Sequence, residues 1–469
     1  MTLLALLLNV YFVCFTDKPT EGTPALSPRA LEQRAKWNIA IDALDYPVSA
    51  AYLDSLHVHG AYIHHTSRWM NGATCTMDDD LAEEISAWPF VQFVEMTRSD
   101  THSGGSLLKR RLLPAQQNET PATGLYSDRQ LDVYNLRPLH EAGYRGQGIL
   151  MTVCDGGFMG CDTLPFFRHE QELGHFDFTD DADGFYGTTG SHGLYCLSTI
   201  SGLTSAYEGA ATEADYYLMR SEECDPESPK EMDNLVAAFE KADSLGTNVF
   251  SVSLGYTLFN NAEWNLDYSQ LDGQSTRVSR AATIAARKGM LVCVAAGNDG
   301  NKDWHWISTP ADADSVLTVG AVNVDSIPGA FSSYGPTADN RVKPEVCAVG
   351  VQASLLMPDG SVRGGNGTSF ATPLLAGLAA SLWSALPDEN AMQIRQRIIR
   401  SANRYHNPDL NQMGYGIPDA WAAYQGQTAT TIQSAVSNRA AKYIRGNELL
   451  IERNGVIYNI MGSPTRTKR

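Results

Sequence analysis

Two hydrophobic patterns alternate along most of the chain. Some short runs are apolar at nearly every position; other, longer stretches carry apolar residues on one helical face. "GILMTVCD" (148–155) is of the first kind and predicts a strand. "DNLVAAFEKADSLG" (233–246) is of the second kind, predicts a helix, and leads into the strand-like "NVFSVSLGY". The order repeats in "TRVSRAATIAARKG" (276–289) followed by "MLVCVAAGN", and "SVLTVGAV" (315–322) adds another strand. A strand that is apolar throughout belongs in a parallel sheet covered on both faces, because a half-exposed strand would alternate. Residues 127–428 are therefore expected to form an α/β domain with helices on both sides of a parallel sheet. Sheets of this kind hold ligands at the carboxyl ends of their strands.

The flanks read differently. "LLALLLNVYFVCF" (3–15) is too short to span a bilayer and fits the apolar part of an export signal, so residues 1–20 are expected to be a signal-like segment. Residues 26–98 twice repeat helix then strand, ending in "FVQFVEM", and predict a small α+β unit. A polar stretch rich in Gly, Ser and Pro over 99–126 reads as a linker. Its "KRR" (109–111) is either a processing site or a plain basic loop. In the tail, 429–469, Asn454-Gly455 sits between two apolar runs and predicts a hairpin.

With 469 residues the chain can hold a large core and appendages. Its net charge of −18 argues against nucleic acid as a partner, since phosphate binding needs a basic face. No CxxC pair occurs among the eight cysteines, so a zinc cluster is not expected. Disulfide pairing cannot be read from their spacing.

Four residues carry candidate chemistry, each where the sheet rule puts it. Asp155 ends the run "ILMTVC" before two glycines; Asn298 ends "LVCVAAGN". His192 opens an apolar helix in "GSHGLYCLSTISG", a context that His169 and His175 lack. Ser369 opens the helix "SFATPLLAGLAASLWSALP", with Pro373 expected in its first turn. Acyl transfer to water uses these groups: a hydroxyl attacks, an imidazole moves the proton, a carboxylate orients the imidazole, and donors face the developing oxyanion. A serine at a helix start lies where negative charge is favoured. The glycines 364, 365 and 367 would clear room for a substrate backbone. For each residue a plainer role exists, helix cap for Ser369 and turn residue for Asp155 and Asn298, but the set in order favours catalysis.

The chain order Asp–His–Ser, with "VCDGGF", "GSHG", "AAGNDG" and "NGTSFATP", resembles the subtilisin-like serine proteases. "FSSYGP" (331–336) and "GYGIPDAWAA" (414–423) are similar to that family as well. The resemblance implies a subtilisin-like parallel sheet and a serine endopeptidase acting on proteins or peptides. It assigns catalytic roles to Asp155, His192 and Ser369 and an oxyanion role to Asn298. "SVSLG" implies substrate contacts at Ser253, Leu254 and Gly255. Residues 26–98 resemble the inhibitory prosegment of such enzymes, which acts as an intramolecular partner of the protease. The final hairpin is similar to a short sorting domain of the type IX secretion route in Bacteroidetes. Together these imply a zymogen that is secreted or held at the cell surface, with no membrane span. No cofactor follows from the motifs; calcium is the ion the resemblance allows, without ligands that can be placed. Gly156 and the Leu194-Tyr195 pair depart from the family's usual residues beside the chemistry.

Two other readings compete. One is a silent surface protein that uses the fold for binding. The other is a sedolisin-type acid peptidase, against which His192 and Asn298 both speak. The acidic stretch "RSEECDPESPKE" (220–231) is either an edge of the cleft that favours basic substrates or a solvated loop.

Overall fold

A computed structural model of the chain describes residues 8–99, 116–117, 125–179, 184–187, 190–223 and 227–429, with three short strands between 441 and 459. "KRR" at 109–111, Cys224 and the Asn454-Gly455 turn lie outside the described residues.

Seven strands form the central sheet. Their order is Val346–Val349, Leu317–Val322, Leu291–Ala295, Val249–Val252, Leu150–Asp155, Asp215–Arg220 and Glu172–Asp177. Every pairing is parallel. Successive strand residues point to opposite faces and divide between two cores. Met151, Val153, Leu291 and Cys293 join one core; Cys154, Val292 and Val294 join the other. Helices His192–Ser201 and Thr368–Ala385 cover the first face, and Lys230–Leu245 and Arg277–Arg287 the second. Burial on both sides is why the strands read as unbroken apolar runs. The edge strand Glu172–Asp177 alternates between half-buried and exposed, and its sequence is correspondingly mixed.

After Leu150–Asp155 the chain winds outward to one edge, returns through Asp215–Arg220, then crosses to Val249–Val252 on the other side. The neighbours Leu150–Asp155 and Val249–Val252 mark the place where the winding reverses. The crevice beyond their carboxyl ends is the natural ligand address of such a sheet.

A second, antiparallel sheet has the order Tyr62–Ser67, Gly72–Met77, Asn9–Phe15, Val91–Arg98. This corrects the signal-like reading of residues 1–20. From Asn9 on, the apolar run is an inner strand, buried at every position and paired on both sides. The unit expected over 26–98 therefore begins at least 17 residues earlier. Helices Ala50–Val58 and Asp79–Ser86 cover one face of this sheet. The other face rests on the Lys230–Leu245 and Arg277–Arg287 helices. There the Arg277 guanidinium lies 4.4 Å from the Phe12 ring centre and pairs with Glu95 and Asp233.

Between 441 and 459 the strands Ala441–Arg445, Glu448–Arg453 and Val456–Asn459 pair antiparallel. Their register sets Arg453 opposite Val456. Among the described residues no helix is long and apolar enough to cross a membrane, and the described cysteines are all free and buried.

Candidate active site

Asp155 is the last residue of its strand and is fully buried. Its Oδ1 accepts from the Gly156 N–H at 2.7 Å and lies 2.7 Å from His192 Nδ1. Glycines make that meeting possible. The loop "GGF" after Asp155 lies directly against "GSHG": a methyl on Gly157 would come within 2.7 Å of Gly190 Cα, and one on Gly190 within 2.6 Å of Gly157 Cα. The Gly193 N–H then bonds Gly157 O at 2.9 Å, which pins the start of the His192 helix to the strand end. The sequence departure at Gly156 thus leaves the Asp155–His192 contact intact.

Asp155 Oδ1 accepts a hydrogen bond from the His192 Nδ1–H, which leaves Nε2 as the imidazole's unprotonated nitrogen. Burial alone would lower the imidazole pKa; the Asp155 charge reverses this and holds it well above 6.5. The rival histidines stand elsewhere. His175 Nδ1 contacts Tyr186 at 3.0 Å, and His169 lies in the turn before the edge strand.

Ser369 lies in the first turn of the helix Thr368–Ala385 and is 8% exposed. Its neighbour Phe370 places a ring 5.8 Å from the His192 ring. The Ser369 hydroxyl donates to Ser253 O at 3.4 Å rather than to the imidazole. Hydrogen bonds of a catalytic group often close only when substrate is bound.

Asn298 lies three residues past its strand. Its Oδ1 accepts from Thr368 N at 2.7 Å and from Thr368 Oγ1 at 3.0 Å. The amide is thereby oriented by the residue just before Ser369, and its Nδ2 protons are turned away from Thr368. Ser253, Leu254 and Gly255 follow the strand Val249–Val252 at the reversal point of the sheet; Ser253 is buried and Gly255 exposed. The structure thus gathers Asp155, His192, Asn298, Ser369 and Ser253 at one rim.

Two local expectations change. The helix starts at Thr368, so Pro373 lies inside it rather than in its first turn. Gly365 serves packing more than substrate access: a methyl there would overlap Leu355 Cδ1 and press on the Phe370 ring. Nothing in the motifs pointed to the side chains of Ser253 or Cys196. Yet Cys196 Sγ lies 3.8 Å from His192 Nδ1 and 3.2 Å from Ser369 O.

The acidic stretch is not a freely solvated loop over its described part. Glu223 is buried and pairs with Lys230 and with Arg98 of the small sheet. Glu222, Glu227 and Glu231 bring carboxylate oxygens within 4.8 Å of one another. Glu222 already accepts from Tyr256 Oη at 2.6 Å, and Glu231 from Glu223 N at 2.8 Å. One oxygen each of Glu222 and Glu231 is thus already taken up by a protein hydrogen.

Comparison with known proteins decides the family. The Subtilase family model matches residues 140–416. The chain belongs to the subtilase family. A propeptide domain of the same peptidases from Bacteroidota matches residues 10–111. That match begins inside the apolar run, in agreement with the strand at Asn9–Phe15. Among curated relatives, Subtilisin NAT of Bacillus subtilis subsp. natto is 26% identical over 80% of this chain and 87% of its own. Serine protease AprX of Bacillus subtilis (strain 168) is 28% identical over 60% of this chain and 67% of its own. The crystal structure of MycP1 from Mycobacterium smegmatis shares the fold. Its TM-score is 0.51 at 23% identity, covering 67% of this chain and 89% of that one. This subtilase is a subtilisin-like serine endopeptidase carrying its own propeptide domain.

Proposed function

We propose that this subtilase hydrolyses peptide bonds through Asp155, His192 and Ser369 by way of an acyl-enzyme. The 2.7 Å contact between His192 Nδ1 and Asp155 Oδ1, at the rim that also carries Ser369, is the observation that supports it most directly. Ser369 Oγ attacks the substrate carbonyl carbon while His192 Nε2 takes the hydroxyl proton. The resulting oxyanion is met by Asn298 Nδ2 and the N–H at the helix start. His192 then protonates the leaving amine, and a water repeats the sequence to release the acid. Asp155 stays ionised and stabilises the imidazolium. Ser253, Leu254 and Gly255 contribute main-chain contacts to the substrate.

The small N-terminal unit acts as an intramolecular inhibitor until the linker is cut. A secreted or cell-surface location belongs to the same reading, since a tethered inhibitor keeps a protease silent until it has left the cell; fractionation checks it. The Ser369→Ala chain tests the chemistry. It should fold with an unchanged melting temperature, cleave no casein and take up no fluorophosphonate. Labelling that persists in that chain refutes Ser369 as the nucleophile.

A further inference from the structure

We propose that Ser253 and Cys196 are positioning residues that hold the main-chain carbonyl of Ser369 and through it aim the nucleophile. The proposal builds on the reading of Ser369 given above. In an α-helix the carbonyl of residue 369 would be taken by the N–H of residue 373. Residue 373 is proline, which has no N–H, and the helix Thr368–Ala385 continues through it. Ser369 O therefore loses its helical donor in a place where both neighbours are buried.

Two side chains from other elements replace that donor. Ser253 Oγ donates to Ser369 O at 2.8 Å. Cys196 Sγ lies 3.2 Å from the same oxygen. Burial raises the Cys196 thiol to about 11, with the Asp155 charge acting in the same direction, so it keeps its proton at neutral pH and can donate. Ser253 is bound to Ser369 in both directions, because Ser253 O also accepts from Ser369 Oγ at 3.4 Å. Cys196 comes one helical turn after His192, with its sulfur 3.8 Å from the imidazole. One oxygen thus joins the segment just after the strand Val249–Val252, the helix carrying His192 and the helix carrying Ser369. Main-chain displacement of Ser369 would move the hydroxyl relative to both the imidazole and the substrate carbonyl. Small errors of this kind are expensive in rate.

The test is kinetic and uses the processed enzyme. Ser253→Ala is expected to lower kcat about 10-fold with KM unchanged, since its main-chain contacts remain. Fluorophosphonate labelling should slow in parallel. Cys196→Ala should lower kcat by about 3-fold, because a thiol is the weaker donor, and Cys196→Ser should restore it. Pro373→Ala returns an N–H to Ser369 O, so Ser253→Ala should cost less in that background than in the native one. The inference falls if folded Ser253→Ala labels within twofold of the native rate, or if its loss is the same with Pro373→Ala. Should Ser253→Ala not fold, equal rates for Cys196→Ala and Cys196→Ser overturn it instead. An active Ser369→Ala chain would defeat the nucleophile assignment itself; an inactive one beside a fully active Ser253→Ala chain defeats only this inference.

Discussion

At the scale of the residue, the proposed mechanism makes His192 the group that sets the pH response. The base must be neutral to accept the serine proton, and Asp155 raises its pKa well above 6.5. Activity is therefore expected to fall as pH drops through a value above 6.5, not at it. Asp155→Asn removes the charge that raises the pKa, so the acid limb of kcat/KM should move down while kcat drops by about 10⁴-fold. A pH–rate profile of the two enzymes checks both; an unmoved limb would contradict the role of Asp155. The residues of this site were legible because each stands at an element end and keeps its motif. Their mutual support was not. The fit of Gly157 against Gly190 joins stretches 33 residues apart, and the Ser253–Ser369 pair spans 116. No local pattern encodes a packing partner so far along the chain.

Among elements, the contact between the small sheet's unit and the catalytic domain runs the length of the Lys230–Leu245 helix. Near the helix start, Arg98 meets Glu223. In its middle, Glu240 accepts from Ser67 Oγ and from the N–H groups of Arg68 and Trp69. At its far end, the helix Pro28–Lys36 inserts Arg34, whose guanidinium reaches Asp243 at 2.8 Å, Asp45 at 3.0 Å and Lys288 O. Both Arg34 and its acidic partners are buried; removing the cation leaves Asp243 to Arg68 and Asp45 to Lys288, so the buried network is weakened but neither carboxylate is left without a cation. Arg34→Ala should lower the melting temperature of the uncut chain and release the prosegment faster once the linker is cut. The activity of the free catalytic domain should not change. Size-exclusion chromatography of the cut Ser369→Ala chain, with and without Arg34→Ala, measures this. Element types along the catalytic domain were legible from hydrophobic period. The strand Asn9–Phe15 was not, because its partners Gly72–Met77 and Val91–Arg98 are remote and an apolar run alone does not distinguish a leader from an inner strand.

For the whole molecule, an excess of acidic groups makes acid the revealing stress. Glu208 is one lever. Burial pushes its carboxyl up, but hydrogen bonds from His140 and Arg145 more than reverse this and bring it to about 2 from the usual 4.5. Its folded pKa lies below the unfolded one, so the stabilisation is complete above about 4.5 and is lost as pH falls toward 2. Glu208→Gln should lower the melting temperature at pH 6 and flatten its decline between pH 4.5 and 2. A thermal scan across that range checks the slope.

The sequence by itself determined the α/β class, the order of the chemical groups and their positions at strand and helix ends, because each follows from local hydrophobic period and local motif. Only the tertiary structure decided that the first apolar run is a sheet strand, that glycines press Asp155 and His192 together, and that Pro373 turns the Ser369 carbonyl over to Ser253 and Cys196. Those outcomes depend on which distant surfaces meet, and burial and donor satisfaction are settled only when the chain is closed on itself.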